Sequence, residues 1–64
     1  MQVSVNGVPA ELAPGATVAT VVADRAAGRV AVALNGEVVP RSRWETTDLA
    51  AGDSLEVLAP TAGG

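Results

Sequence analysis

Residues 58–64 read Leu-Ala-Pro-Thr-Ala-Gly-Gly, and the group at their end, the α-carboxylate of Gly64, is the one chemically distinctive group of the chain. An α-carboxyl titrates at about 3.3 to 3.7, so at neutral pH it is an ionised oxygen nucleophile that needs no base to activate it. Gly63 and Gly64 lack Cβ, which lets them enter a narrow channel and take backbone angles closed to other residues. Fully extended, residues 61–64 reach about 13 to 14 Å. That is enough to carry a carboxylate into another protein's cleft. Nothing else in the chain offers comparable chemistry, because there is no Cys and no His. Their absence removes the commonest general base, the commonest nucleophile activator and the commonest metal ligand, together with thiolate sites and disulfides. The carboxylates Glu11, Asp24, Glu37, Glu45, Asp48, Asp53 and Glu56 are scattered without a metal-loop spacing and read as a solubilising surface. The composition therefore argues against an autonomous enzyme, and no bound metal or cofactor is expected.

The charge balance narrows the partners. Net charge is −3, the only cations among the side chains are Arg25, Arg29, Arg41 and Arg43, and Trp44 is the sole aromatic residue. Neither the basic footprint nor the stacking platform of a nucleic-acid binder is present. No apolar run approaches the roughly 20 residues of a membrane span, and the opening MQVSVNG has neither the basic segment nor the apolar block of a signal peptide. No membrane partner is expected, and a cytoplasmic location is. Sixty-four residues allow one small core, near the lower limit for folding without disulfides or metal.

The elements that must present the carboxylate follow from periodicity. Met1, Val3 and Val5 alternate with Gln2, Ser4 and Asn6, and Asn6-Gly7 is a strong hairpin signal, so strands are predicted near residues 1–6 and 8–12. Pro9 cannot donate to a ladder and predicts an edge position for the second strand. Val18, Val21, Val22 and Arg25 then fall at helical spacing, with Thr17 as N-cap and Gly28 as the stop. Arg25 stands where a fourth apolar residue would complete the stripe. Val30, Val32 and Leu34 return to period two, the alanines between them suit close packing on the opposite face, and Asn35-Gly36 is a second hairpin turn. A single helical turn is predicted near Arg41 to Trp44, and a turn at Gly52-Asp53 leads into the last strand. There Leu55, Val57 and Ala59 face one way and Ser54, Glu56 and Leu58 the other. Pro60 ends that strand.

Strand, strand, helix, strand, strand, strand, with one amphipathic helix to bury, predicts a two-layer α+β domain. Pattern gives the element types; by analogy with ubiquitin-like proteins, whose first and last strands are parallel neighbours in the middle, the expected arrangement is a β-grasp: a mixed sheet of four to five strands on one helix over residues 1–60, with a flexible Gly-Gly tail at 61–64. The segments ALNGEVVPRSRW, LAAGDSLEVL and the terminal TAGG resemble the ThiS family, small sulfur carriers of thiamin thiazole biosynthesis.

The resemblance implies that a partner adenylating enzyme, similar to ubiquitin-activating enzymes, joins AMP from ATP to the Gly64 carboxylate. A sulfur donor system then replaces the AMP and leaves a thiocarboxylate, which thiazole synthase consumes. Thr61, Ala62 and Gly63 form the lead to that carboxylate. Leu58, Glu56, Arg41 and Trp44 are the candidate docking residues: Leu58 as an apolar grip just ahead of the tail, Glu56 and Arg41 as charges for a partner. Trp44 reads either as an interface anchor or as a lid on one end of the core. Rival readings keep the fold and change the client. They are the small subunit of molybdopterin synthase, a carrier for another thio-metabolite, a ubiquitin-like modifier, and a plain interaction module in which Gly-Gly plays no part.

Overall fold

The period-two segments form strands and the period-3.6 segment a helix in the computed structural model, which describes residues 1–25 and 30–58. In chain order these are β1 (Gln2–Val5), β2 (Val8–Glu11), α1 (Val18–Arg25), β3 (Ala31–Leu34), β4 (Glu37–Val38), a 3₁₀ turn (Arg41–Arg43) and β5 (Ser54–Leu58). The sheet order is β2-β1-β5-β3-β4. β1 and β5 run parallel with Val5 beside Leu55, while β1–β2, β3–β4 and β3–β5 are antiparallel. This is the mixed five-stranded sheet with one helix expected of a β-grasp domain. Pro9 lies on the edge strand β2, opposite Ser4, where its missing N–H costs no ladder bond.

Both Asn-Gly turns form, with positive φ at each Asn and Gly: +52° and +81° at Asn6-Gly7, +50° and +87° at Asn35-Gly36. That pair of angles matches the twist of the flanking strands, which is why these dipeptides set the hairpins. β4 is only two residues long, because Pro40 follows Val39 almost at once. The predicted turn at residues 41–44 is the 3₁₀ turn, with Trp44 closing it through its N–H to the Arg41 carbonyl.

Thr17 precedes the helix as expected, but the capping runs in an unexpected direction. The Thr17 backbone N–H donates to Thr20 Oγ1 at 3.0 Å, and the free N–H groups of the first turn find carbonyls in the 44–47 segment. Val18 N–H donates to the Thr47 carbonyl at 3.1 Å and Ala19 N–H to the Trp44 carbonyl at 3.0 Å. A loop from elsewhere in the chain thus satisfies donors that a local cap ordinarily serves. The predicted stop at Gly28, the side chain of Arg25, and Ala59 and Pro60 lie outside the described residues.

The core lies between the helix and one sheet face and comprises Val3, Val5, Val18, Val21, Val22, Val32, Trp44, Leu49 and Leu55. Leu55, fully buried on the central strand, is its hub. No helix among the described residues is long and apolar enough to cross a membrane.

Candidate functional site

The sheet has two faces, and strand alternation sorts the last strand between them. Leu55 and Val57 point to the helix; Ser54, Glu56 and Leu58 point away. Register extends the outer face sideways: Leu58 lies opposite Ala31, Glu56 opposite Ala33, and Ala33 opposite Val38. Leu58 is 60% exposed and Val38 77% exposed. The result is an apolar area of Leu58, Ala31, Ala33 and Val38 crossed by the carboxylate of Glu56. The helix α1 packs on the other face, and no described element covers this one. Alanines let a partner approach the backbone closely, while Leu58 and Val38 supply the projecting methyl groups.

Leu58 is also the last described residue of β5, six positions before Gly64. Thr61, Ala62, Gly63 and Gly64 themselves lie outside the described residues. A surface that grips Leu58 therefore sits at the root of the segment that bears the carboxylate.

Arg41 and Trp44 belong to a different place. The Trp44 indole is 7% exposed, and its Nε1–H donates to the Val39 carbonyl at 2.9 Å. The ring is taken up by the core, so it acts as the lid and offers a partner little surface as an anchor. The sequence left that choice open because a Trp at the end of a small core and a Trp on a surface have the same local signature. Arg41 is exposed, with its guanidinium 5.2 Å from the centre of the Trp44 ring, a cation–π distance. In the sheet order this pair follows the edge strand β4, two strands from β5. The four candidate docking residues consequently do not form one patch: Leu58 and Glu56 share the outer face, and Arg41 lies over the ring of Trp44, which belongs to the core.

Two contributors escaped the sequence reading. Val38 was visible only as one apolar residue in a short strand, and its face depends on the β3–β4 register. Asn6 was read as a turn residue alone, yet its side chain reaches β5, where the Val57 N–H donates to Asn6 Oδ1 at 2.8 Å and Asn6 Nδ2 donates to the Val57 carbonyl at 3.2 Å. A shallow groove beside β4 is lined by Leu34, Glu37, Val38, Val39, Pro40, Arg43 and Thr47, a mixed apolar and polar set. Among the described residues no group of three acidic side chains is placed to hold a metal ion.

The ThiS family model matches residues 3–64, which takes in the sheet, the helix and the Gly-Gly end. The chain belongs to the ThiS family. Similar solved structures agree with this assignment. A crystal structure of a thiamine biosynthesis protein (ThiS) from Geobacter metallireducens has 33% sequence identity and a TM-score of 0.82, with 100% of both chains covered. A solution NMR structure of a thiamine biosynthesis protein from the same organism has 32% identity and a TM-score of 0.80, covering 100% of this chain and 88% of that one. No curated protein matches the chain. The described residues thus share the β-grasp architecture of ThiS proteins, and residues 61–64 lie inside the region that the family model matches.

Proposed function

We propose that this ThiS-family protein is a sulfur carrier for thiazole formation in thiamin biosynthesis, and that it serves as a co-substrate of other enzymes without catalysing a reaction itself. An oxygen of the Gly64 carboxylate attacks the α-phosphorus of ATP on a partner adenylating enzyme; pyrophosphate leaves and an acyl-adenylate forms. Sulfide-level sulfur (HS⁻) supplied by a donor system then attacks the acyl carbon, AMP leaves and the thioacid proton is lost to solvent. The product is a thiocarboxylate in which one oxygen has been replaced by sulfur. Thiazole synthase takes that sulfur. ATP binds to the partner, and this chain holds no cofactor of its own.

The observation that carries the reading is the family match running through Gly64 in a chain with no other group suited to chemistry. The uncovered outer face supports it, because Leu58 and Glu56 offer a grip on the same strand that leads to the carboxylate. We propose the adenylating enzyme as the occupant of that face: an apolar surface over Leu58, Val38 and the alanines, with a cation opposite Glu56.

Intact mass of the protein isolated from thiamin-producing cells, without reductive or alkaline treatment, tests the proposal. The expected species is heavier by the difference between sulfur and oxygen, with the change mapped to Gly64. A Gly64 that remains an unmodified carboxylate in such cells refutes the carrier reading, and branched peptides carrying the tail on lysines indicate a modifier instead.

A further inference from the structure

We infer that Asn6 is a positioning residue for the C-terminal carboxylate, acting through a side-chain clasp on Val57 that fixes how β5 hands over to the tail. This rests on the carrier reading above. The parallel ladder between β1 and β5 runs out at Val5, because Asn6-Gly7 turns the chain away into β2. The Asn6 backbone N–H makes the last regular bond, to the Leu55 carbonyl at 2.9 Å. Beyond it β5 continues for three more residues with no β1 backbone beside it. The Asn6 carboxamide fills that place: its Oδ1 accepts the Val57 N–H at 2.8 Å and its Nδ2 donates to the Val57 carbonyl at 3.2 Å. The two bonds fix the amide orientation, since a backbone N–H can only meet the oxygen. An amide is the group that reproduces both halves of a missing peptide neighbour.

The second Asn-Gly turn provides an internal comparison. Asn35 has nearly the same backbone angle and grips the other end of the same strand. Its Oδ1 accepts the Ser54 N–H at 3.0 Å and its Nδ2 donates to Asp53 Oδ1 at 3.1 Å. Asn6 holds β5 where the tail begins, and Asn35 holds it where the strand starts. Only the first clasp lies at the end of β5 that leads into residues 59–64. A carboxylate carried at the end of a short lead depends on its root, because a misplacement of about 1 Å at a reacting centre costs up to roughly 100-fold in rate.

The test compares Asn6→Gly with Asn35→Gly in the full-length protein. Glycine takes positive φ without strain, so both turns persist while each side-chain clasp is lost. Two readouts are used: amide hydrogen exchange at Val57 and Ser54, and steady-state adenylation by the partner enzyme with ATP. For Asn6→Gly, exchange at Val57 should accelerate about tenfold. Its kcat should fall about tenfold with KM for the carrier nearly unchanged, because the outer face is intact. For Asn35→Gly, exchange at Ser54 should accelerate and both kinetic constants should stay at wild-type values. Unchanged exchange at Val57 in Asn6→Gly, wild-type kcat in that variant, or an equal loss of kcat in Asn35→Gly each overturns the positioning role. Failure of the wild-type protein to accept AMP at Gly64 is a separate result, which overturns the carrier reading itself.

Discussion

Replacing Leu58 with Ala separates a docking role from a folding role, because the structure assigns the two very different sizes. Full burial of a Leu side chain is worth about 1.5 to 3 kcal/mol. Since Leu58 is 60% exposed, a partner that covers it gains roughly 1 to 2 kcal/mol from this residue, most of which Leu58→Ala removes. At about 1.4 kcal/mol per factor of ten, the affinity for the adenylating enzyme should fall roughly five- to thirtyfold. Stability should change by no more than about 0.5 kcal/mol, as is usual for a surface substitution. The assay pairs a binding titration of the two purified proteins with urea unfolding of the carrier alone. Weakened binding with an unmoved unfolding midpoint is the expected pattern. Wild-type affinity in Leu58→Ala refutes the assignment of this face, and an equal loss of stability shows that Leu58 was serving the core.

Other outcomes follow from the same geometry. Trp44→Phe removes the Nε1–H bond to the Val39 carbonyl and should destabilise the domain by about 1 to 3 kcal/mol, read as a lower melting temperature; binding of the folded variant to the adenylating enzyme should be unaffected. Extending the chain by one residue past Gly64 should abolish thiocarboxylate formation and leave melting unchanged, so retained thiazole synthesis by the extended protein removes the terminal carboxylate from the mechanism.

Much of this molecule was legible in one dimension. The two Asn-Gly dipeptides set both hairpins because few residue pairs accept positive φ twice in succession, and valines at helical spacing marked the α-helix. Pro9 announced an edge strand by its missing donor, and the bare Gly63-Gly64 end, in a chain without Cys or His, directed attention to one carboxylate. These are local properties: backbone angles, hydrogen-bonding capacity and side-chain chemistry belong to a residue before it has neighbours.

What folding alone decided concerns pairs of residues far apart in the chain. Leu58 beside Ala31, and Ala33 beside Val38, become one surface only through the registers of β3 with β5 and β4. Trp44 had two readings until its burial against the helix side settled it as part of the core. The N-terminal turn of the helix takes its hydrogen-bond partners from residues 44 and 47, which no capping rule applied to Thr17 would supply. Asn6 reaches Val57 across 51 positions because the parallel pairing of the first and last strands brings them together. The sequence by itself determined the elements and pointed to the Gly-Gly carboxylate, since each follows from a residue's own conformational and chemical preferences. The tertiary structure decided which sheet face no described element covers and which side chain clasps the end of β5, since both depend on strand order and register, which no single segment encodes.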